Sequence, residues 1–449
     1  MPPDSSPSQE RFPGIPGFSL PSLRSAGAAF WQRAFASDFA WKVGETFATR
    51  VFLLAAGVAA GVLVARSLGP EGRGLFAVAT ALAGMCVQFG NLGLHTANAY
   101  YVAQDRSLMP RLAGNSLMVS AVVGGLAVAG LWALAMVRPD IAPIRGPLLV
   151  LTCVSVPVGL GYMLLQNLLM GVQDVRSFNR IEILVRLVSL TLIVLVILEK
   201  RVTPEAVFGA GLLASGVGLV RVLRRLGRHL PVRPRPSPGL LREHMVYGLK
   251  SYLACFFAYL VVRFDLLMVS SMLGTKEAGY YSIAASMADL VYMLPSVIGT
   301  LLFPRLVARP TAEEKWRLTA GVGAAVLVVM VGVSTVSAFL ARPLIRLLFG
   351  PDFLPATPAF VVLAIAMIFY GVNNIVSSYL ASMSFPWFSV GVWVAAAGLN
   401  VVLNLLLIPA RGILGASISS LVCYVLVLVA HVLYCARTAT WRRRPAHAG

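Results

Sequence analysis

The fold class that this sequence predicts is an all-α polytopic membrane protein. Of its 449 residues, 58% are hydrophobic and only 12% are charged, against roughly 25% charged residues in soluble domains. Long apolar runs fill most of the chain, and because lipid offers backbone groups no hydrogen-bonding partner, such runs must be helical. The composition excludes a soluble enzyme. It also argues against a nucleic-acid-binding protein, because a basic groove needs a polar domain to carry it.

Twelve runs are long enough to cross a bilayer core of about 30 Å as helices. They lie at residues 41–68, 74–103, 111–137, 146–171, 178–198, 204–226, 245–273, 279–303, 317–340, 354–382, 386–408 and 412–436. An N-terminus in the cytoplasm places 24 of the 37 Lys and Arg residues in cytoplasmic segments and 10 on the opposite side. Because basic residues are retained in the cytoplasm, we expect both termini there. The net charge of +19 is then largely a topology signal and an attraction to anionic membrane lipids.

The largest basic cluster extends from Arg221 to Lys250, after the sixth span, and is interrupted by four prolines. It predicts a cytoplasmic linker at 227–244 between two six-helix lobes, at 41–226 and 245–436. The end segments are predicted to be a disordered or interfacial cytoplasmic tail at 1–40 and a basic cytoplasmic tail at 437–449. An even number of spans in each lobe gives both lobes the same orientation. This is the arrangement of a parallel repeat about an axis along the membrane normal.

A short segment occurs at the same place in both halves. LGPEGRGLFAVA begins at Leu68 and LGTKEAGYYSIA begins at Leu273, an offset of 205 residues. Each segment joins the first two helices of its half, where glycine permits the positive φ of a tight turn. The match predicts that the two halves arose by duplication.

The segment ARSLGPEGRGLFAVATAL and the stretch RFDLLMVSSMLGTKEAGYYSIAASMADLVYMLPSVIGTLLFPRL resemble the polysaccharide flippases of the Wzx type. These belong to the same superfamily as the multidrug and toxic compound exporters and the lipid II flippase. The resemblance extends over residues 41–436 and implies two six-helix lobes in a V shape around a central cavity. It implies flipping of an undecaprenyl-pyrophosphate-linked oligosaccharide across the bacterial inner membrane by ion-coupled alternating access. The product would supply exopolysaccharide, capsule or O-antigen assembly.

The partners that the resemblance implies are the lipid-linked oligosaccharide, membrane lipids, and the polysaccharide polymerase and export machinery. It implies no cofactor and no nucleic acid.

Charged side chains at bilayer depth are costly, so each is paired, reaches the surface or is functional. Arg50 has no acidic residue three or four positions away and is the leading candidate for substrate binding. Guanidinium groups bind phosphate oxygens in bidentate fashion, which suits a pyrophosphate. Arg263 is the second candidate. It lies as deep as Asp289 below the same turn, so a structural ion pair between two helices is the alternative.

Three carboxylates are candidates for ion coupling, namely Asp265, Asp289 and Glu45. Asp265 follows two residues after Arg263, about 200° around the helix, and therefore faces a different neighbour. Structural carboxylates would have the same sequence pattern. Glu182 and Arg186, which lie four residues apart on one span, are predicted to form an ion pair. Substrate contact is the alternative for that pair.

Amide side chains within the spans suit the hydroxyl groups of a sugar. The candidates for substrate binding are Asn91, Asn98, Gln166, Asn373, Asn374, Asn400 and Asn404, with Gln88 and Asn167 as further candidates. Asn91 with Asn98, and Asn400 with Asn404, are spaced to share a helix face. For each amide, a hydrogen bond between helices is the alternative role.

Two other functions remain open from the sequence. A cation-coupled multidrug exporter of the same superfamily is expected to carry acidic residues in its first helix, where this chain has Arg50. A membrane-embedded polysaccharide polymerase or ligase is expected to need a sizeable outer loop, yet no predicted outward segment exceeds about 15 residues. The sequence offers no nucleophile with a base and no phosphate-binding loop, and its five cysteines are widely spaced. We therefore expect a transporter, without catalytic residues or a metal site.

Overall fold

The computed structural model describes the backbone of residues 22–138, 143–230, 232–383 and 385–441. Side chains are described in these ranges from residue 49 onward, except at 50, 246, 247, 250 and 439–441. The chain divides into two compact units, Met1–Phe52 and Leu53–Gly449. The first unit contains helical residues 22–52, and the second contains the remaining helices.

All regular elements in the described ranges are helices. The α-helices are α1 (Ser22–Gly90), α2 (Leu94–Gln104), α3 (Met109–Val137), α4 (Gly146–Gly171), α5 (Val175–Leu198), α6 (Pro204–Gly227), α7 (Pro238–Leu273), α8 (Thr275–Val307), α9 (Ala312–Phe339), α10 (Ala341–Leu348), α11 (Thr357–Ser382), α12 (Trp387–Arg411) and α13 (Ile413–Trp441). Short 3-10 turns at Arg106–Leu108 and Pro351–Ala356 precede α3 and α11. The all-α fold class is therefore confirmed.

Eleven helical segments in the described ranges are long and apolar enough to cross a membrane. The first, Val51–Gly90, has 40 residues, which at 1.5 Å per residue is about 60 Å, twice the thickness of a bilayer core. It contains Gly69 in a non-helical conformation with φ 65°. Because this glycine separates two successive helices, the eleven segments account for the twelve predicted spans. The chain is a multi-pass membrane protein.

The second predicted span, 74–103, is interrupted in the structure. Between α1 and α2 the backbone of Leu92 and Gly93 has φ values of 49° and 78°. Gly93 packs closely on α7, so a Cβ at this position would lie 3.2 Å from the carbonyl oxygen of Gly248. The break therefore depends on contact with a distant helix, and the local apolar pattern gives no sign of it.

The structure describes parts of the predicted tail and linker. The tail predicted at 1–40 as disordered or interfacial is helical from Ser22 onward in its described part. Its alanines are strong helix formers, and a helix is compatible with the predicted interfacial position. The linker predicted at 227–244 contains the start of α7, because Pro238 suits the first turn of a helix. At the other end of the chain α13 extends to Trp441, and residues 442–449 of the predicted basic tail lie outside the described residues.

The short helix α10 was not predicted. It is joined to the first half of the chain by Arg66 of α1, whose Nε donates to the carbonyl oxygen of Leu348 at 2.7 Å. Leu348 is the last residue of α10, where free carbonyl groups and the helix dipole favour a cation.

Backbone hydrogen bonds fix the linker to the start of α3. Arg235 donates its N–H to the carbonyl oxygen of Pro110 at 3.2 Å. Ser237 donates its N–H to Oδ1 of Asn115 at 2.7 Å. A Cβ on Gly114 would lie 2.3 Å from the carbonyl carbon of Arg235, so this contact requires glycine. The linker is thus part of the packed structure.

A carboxylate ties the start of α5 to the end of α6. Asp174 caps α5 by accepting from the N–H of Ser177 at 3.3 Å, and it accepts from Nη2 of Arg225 at 2.7 Å. Burial acts to raise the pKa of Asp174, but hydrogen bonds from Arg225 and Ser177 and the charge of Arg225 outweigh it. The pKa of Asp174 therefore lies below its usual value.

The helices pack mainly within two sequential groups. In the first group α4 contacts α3, α5 and α6, and α5 also contacts α6. In the second group α11 contacts α8, α9 and α13, and α7 contacts α8, α12 and α13. α2 and α3 also touch α7. The span that includes α11 is 61% buried, the highest value among the spans described. α11 therefore forms the interior of the second group.

The internal repeat is visible in the backbone. Gly69 and Gly274 occupy equivalent positions and both have positive φ, 65° and 95°. Each glycine ends the first helix of its half, and five residues later Gly74 and Gly279 lie where the two hairpins meet. The two halves thus share a local geometry as well as a sequence pattern.

Candidate functional site

A cavity of about 600 Å³ lies among α7, α8, α11 and α12, with Gln88 of α1 on its wall. Polar residues on the wall are Gln88, Tyr259, Arg263, Asp289, Tyr292, Tyr370, Asn373, Asn374 and Ser377. The volume falls within the roughly 300–1,000 Å³ of small-molecule sites. Of the predicted substrate-binding residues, the structure brings Arg263, Asn373 and Asn374 together at this cavity, with the further candidate Gln88.

Arg263 and Asp289 form an ion pair on the cavity wall. Nη2 of Arg263 donates to Oδ2 of Asp289 at 2.7 Å, so the contact predicted from their equal depth is present. The two side chains are 34% and 40% exposed. Because the pair is not enclosed, guanidinium N–H groups remain accessible from the cavity. A guanidinium in this setting is chemically able to bind an oxyanion.

Aromatic rings form another part of the wall. The ring centroid of Tyr370 lies 4.5 Å from that of Tyr292 and 6.3 Å from that of Trp393. Behind them, Tyr424 lies 4.7 Å from Tyr370. The rings of Tyr292 and Tyr370 are tilted by 38°, and those of Tyr370 and Trp393 meet edge to face at 81°. Such rings are rigid and combine apolar surface with a polar edge, which suits the C–H groups of sugar rings.

The amide side chains of Asn373 and Asn374 are held by neighbours. Nδ2 of Asn374 donates to the hydroxyl group of Tyr292 at 2.8 Å. Oδ1 of Asn373 lies 2.8 Å from Nδ1 of His431. The sequence analysis missed His431, because a lone histidine in an apolar run carries no local sign of its partners.

A second cavity, of about 460 Å³, is lined by α1, α5 and α8. Its wall includes the guanidinium-bearing residues Arg73 and Arg186, together with Asp289. Asp289 therefore belongs to the walls of both cavities. The charges here are two cationic groups and a carboxylate that is already paired with Arg263.

Arg73 is a buried cation that the sequence analysis counted only as a loop charge. It is 8% exposed, and its Nε and Nη2 donate to the hydroxyl oxygens of Ser282 and Ser286 at 3.3 and 3.4 Å. Its guanidinium carbon lies 5.5 Å from the ring centroid of Phe76. No carboxylate pairs with it among the described residues. The repeat could have indicated this residue, because the equivalent position in the second half holds the uncharged Ala278.

The ion pair predicted between Glu182 and Arg186 is not present in the described part of the chain. Arg186 instead lines the second cavity. Its guanidinium carbon would lie 3.9 Å from a Cβ on Gly57. That is an ordinary van der Waals distance, so Arg186 extends from α5 to the surface of α1 at Gly57.

Asp265 is completely buried in a polar cluster that includes Asn400 and Asn404. Its Oδ1 accepts from Nδ2 of Asn404 at 2.7 Å, and its Oδ2 accepts from the hydroxyl groups of Tyr281, at 3.0 Å, and Ser420. Its described neighbours are neutral donors. As predicted, Asp265 and Arg263 face different neighbours, and Asn404 lies beside Asn400 with Nδ2 3.0 Å from its Oδ1. These two amides line neither cavity and contact the carboxylate instead.

Three other predicted amides lie elsewhere. Asn98 donates to the hydroxyl group of Ser116 at 2.9 Å and to a carbonyl oxygen of α4 at 3.1 Å, so it joins helices. Asn91 accepts from the N–H of His95 at 3.1 Å at the start of α2. Asn91 and Asn98 do not share a helix face as predicted, because the helix is broken between them. Gln166 is 5% exposed within α4 and lines neither cavity.

The side chains of Arg50 and Glu45 lie outside the described residues, so their predicted roles stay predictions. In the ranges that the structure does describe, no three His, Cys, Asp or Glu side chains are close enough to hold a metal ion.

Residues 51–309, more than half of the chain, match the family model described as polysaccharide biosynthesis protein. The chain belongs to the polysaccharide biosynthesis protein family. The matched stretch contains both repeated hairpins as well as Arg73, Arg263, Asp265 and Asp289. The assignment to the polysaccharide flippases, made from those hairpin segments, is confirmed.

Curated relatives of this family member are distant and partial. It is 24% identical over 202 residues to an uncharacterized membrane protein of Methanocaldococcus jannaschii. It is 21% identical over 204 residues to the probable low-salt glycan biosynthesis flippase Agl15 of Haloferax volcanii. Each match covers 44% of this chain, and 40% and 43% of the two relatives. The match thus spans about two fifths of the length of these relatives.

Solved structures show which fold this member of the polysaccharide biosynthesis protein family has. An inward-facing multidrug resistance transporter of the MATE family has a TM-score of 0.70 at 15% identity, over 88% of this chain and 96% of that one. The lipid II flippase MurJ in its inward closed conformation has a TM-score of 0.67 at 12% identity, over 87% of each chain. A transporter of the same superfamily from Pyrococcus furiosus has a TM-score of 0.62. The fold is that of the MOP superfamily, whose members named here are transporters and flippases.

Proposed function

We propose that this protein flips an undecaprenyl-pyrophosphate-linked oligosaccharide across the bacterial inner membrane, with both termini in the cytoplasm. The observation that supports this most directly is the composition of the 600 Å³ cavity. A guanidinium group, amide groups and aromatic rings share its wall. A pyrophosphate requires cationic donors, and a sugar requires polar donors beside apolar faces.

Within this proposal, Arg263 binds the pyrophosphate, and Asn373 and Asn374 bind sugar hydroxyl groups. A role of Arg50 in phosphate binding stays a prediction from the sequence. The apolar carrier stays in contact with membrane lipid. The product supplies exopolysaccharide, capsule or O-antigen assembly, with the polysaccharide polymerase and the export machinery as partners. Asn91, Asn98 and Gln166 serve helix packing.

The segments 41–226 and 245–436 act as the two lobes of an alternating-access transporter. The repeated hairpins are then on the outer side of the membrane, because the predicted topology places the turns at Gly69 and Gly274 there. Their contact at Gly74 and Gly279 closes the path to the outside. Transport requires this contact to separate.

Asp265 carries the ion coupling. A fully buried carboxylate without a cationic partner among the described residues is costly, and such residues in membrane helices mark ion or proton pathways. Its neighbours Asn400, Asn404, Ser420 and Tyr281 supply further oxygen atoms. Binding a proton or a small hard cation would neutralise the charge in the same place.

The test is a lipid extraction from cells that lack the gene but retain the initiating glycosyltransferase. The expected result is that pyrophosphate-linked oligosaccharide is trapped on the inner leaflet and that surface polysaccharide is lost. Complementation with the gene should reverse both defects. Sidedness is measured with a membrane-impermeant lectin or hydrolase on oriented vesicles, which separates a flipping defect from a polymerase defect.

Normal polysaccharide without a trapped intermediate would contradict the proposal. It would favour the cation-coupled multidrug exporter, the second candidate, which the MATE-like fold and the carboxylate of Asp289 in both cavities support. Efflux of cationic dyes by the same strains is the direct measurement for that function.

A further inference from the structure

A fully buried histidine connects the cavity wall to the helix behind it. Nδ1 of His431, in α13, lies 2.8 Å from Oδ1 of Asn373, and its Nε2 lies 2.9 Å from Oγ of Ser389. His431 and Ser389 are 0% exposed, and Asn373 is 3% exposed. No carboxylate among the described residues hydrogen-bonds to the ring. Both ring nitrogens are therefore engaged by neutral groups.

The direction of these hydrogen bonds follows from the chemistry of the three groups. A neutral imidazole has one N–H donor and one acceptor nitrogen. Oδ1 of Asn373 is only an acceptor, so Nδ1 of His431 carries the proton. Nε2 is then the acceptor, and the hydroxyl group of Ser389 donates to it. The chain of donors runs from Ser389 through His431 to Asn373 and fixes the tautomer of the ring.

The other end of the Asn373 amide is free to meet a ligand. Asn373 lines the cavity, and its Nδ2 makes no hydrogen bond to any residue that the structure describes. Because Oδ1 is held by His431, the amide presents N–H donors to the cavity and cannot present its oxygen without breaking that bond. Trp393 lines the same wall, with its ring centroid 6.4 Å from His431 and 6.3 Å from Tyr370.

We propose that His431 is a positioning residue that fixes Asn373 as a hydrogen-bond donor to a sugar hydroxyl oxygen. The ligand class follows from the surroundings. N–H donors repel a cation, and the rings of Trp393 and Tyr370, which line the same wall, place apolar surface beside them for the C–H groups of a sugar ring. This inference rests on the proposed function, since it identifies the carbohydrate-binding part of the same cavity. The phosphate-binding part lies at Arg263.

Two conservative substitutions test the contacts of the two ring nitrogens one at a time. In His431→Asn the amide nitrogen occupies about the place of Nδ1 and still donates to Asn373. In His431→Gln the longer side chain places its amide near the position of Nε2, so the contact with Ser389 is kept and the contact with Asn373 is lost. Asn373→Ala removes the donor itself. All variants are made in the full chain, purified and reconstituted in nanodiscs.

Binding is measured for two probes, undecaprenyl pyrophosphate without sugar and the lipid-linked oligosaccharide extracted from host cells. We expect His431→Gln and Asn373→Ala to weaken binding of the glycosylated lipid about tenfold, the effect of one lost hydrogen bond in an enclosed site. Binding of the sugar-free lipid stays unchanged. His431→Asn stays close to wild type, and His431→Gln combined with Asn373→Ala is no weaker than Asn373→Ala alone.

Several results would overturn the inference. A loss that is equal for both lipids and accompanied by a lower melting temperature would make His431 a structural residue. So would His431→Asn behaving like His431→Gln, or additive losses in the double variant. If wild type binds the glycosylated lipid and His431→Gln binds it equally well, only the positioning role is wrong. If the folded wild type binds neither lipid, the proposed function is wrong, and with it the ligand assigned to Asn373.

Discussion

Gly74 and Gly279 are reciprocal partners where the two repeated hairpins meet. A Cβ on Gly74 would lie 1.8 Å from the carbonyl oxygen of Thr275, and a Cβ on Gly279 would lie 1.9 Å from that of Pro70. Thr275 and Pro70 are themselves equivalent residues of the repeat, 205 positions apart. Each hairpin therefore uses the same surface to contact the other, as two subunits do across a two-fold axis.

Replacing either glycine by alanine should separate the hairpins. At less than 2 Å from a carbonyl oxygen the added methyl group forces the backbone apart, because the obstacle is main chain and cannot rotate away. We expect Gly74→Ala and Gly279→Ala each to destabilise the protein by about 1–3 kcal/mol, in the range of overpacked cores. The measurements are the melting temperature in detergent and polysaccharide export.

Gly125→Ala is the matched control, because nothing lies within 4 Å of a Cβ at that position on α3. We expect it to resemble wild type. Because the contact is shared, the double variant should be less destabilised than the two single losses added together. Full additivity would show that the two glycines act separately and contradict the reciprocal contact.

Variants of Arg263 and Asp289 should distinguish a role of this ion pair in stability from a role in substrate binding. Asp289→Asn leaves a guanidinium without its carboxylate, so we expect a lower melting temperature. Arg263→Gln with Asp289→Asn removes both charges and should regain stability. If Arg263 binds pyrophosphate, transport falls at least about tenfold in the double variant, which lacks the guanidinium group, as expected for a lost charge-assisted contact.

Arg309→Gln is the control for the loss of an exposed pair, since Arg309 lies 3.7 Å from Glu314 with both side chains about half exposed. It should change neither stability nor transport. Normal transport by the double Arg263→Gln, Asp289→Asn variant would leave the ion pair as a helix contact alone.

Asp265→Asn should remove the charge and keep the fold. Oδ1 of Asp265 faces an amide N–H donor, whereas Oδ2 faces two hydroxyl groups, from Tyr281 and Ser420. Hydroxyl groups can accept as well as donate, so an asparagine amide nitrogen in the place of Oδ2 is satisfied. We expect a normal melting temperature and transport that no longer responds to an ion gradient.

The measurement is uptake of fluorescently labelled lipid-linked oligosaccharide by proteoliposomes, with a proton or sodium gradient imposed and then collapsed. Ser420→Ala is the control that removes a hydrogen bond and retains the carboxylate. Gradient-dependent transport by Asp265→Asn would contradict a coupling role for this residue.

Asp174 should make stability depend on pH. Because its pKa is lowered in the folded protein, its stabilising contribution is complete above the unfolded value of about 3.9 and is lost as the pH falls through the folded value. Asp174→Asn should keep the cap, because asparagine caps a helix as well as aspartate does, and should cost about 1–2 kcal/mol near neutral pH through the lost ion pair with Arg225. The melting temperatures of wild type and variant should converge below about pH 4. A constant difference across that range would contradict the assignment.

The features that could be predicted from the sequence are those set by the length of a helix or by the depth of a residue in the membrane. The bounds of α4, Gly146–Gly171, coincide with a predicted span, because a bilayer sets the length of an apolar helix. The contact between Arg263 and Asp289 follows from counting residues from a shared turn, since helical rise is constant. The positive φ of Gly69 and Gly274 follows from their place between helices.

The remaining features depend on contacts between distant helices. The helix break at Gly93 accompanies close packing against Gly248, more than 150 residues away. Arg73 is a buried cation because two serines of α8 meet it, and His431 orients Asn373 across 58 residues of sequence. No local periodicity contains such pairings. They arise only when the helices are assembled.

Asp289 contributes to the walls of both cavities, and this has a thermodynamic consequence. A ligand in the first cavity that draws Arg263 away from Asp289 leaves the carboxylate of Asp289 without its cation. This changes the interaction of that carboxylate with a ligand in the second cavity. Linkage is symmetric, so each ligand alters the affinity of the other by the same factor. The shared carboxylate thus makes the occupancies of the two cavities interdependent. When an anion takes Arg263 from Asp289, the negative charge of Asp289 faces the cavity that Arg73 and Arg186 line, so an anion bound in one cavity disfavours an anion in the other.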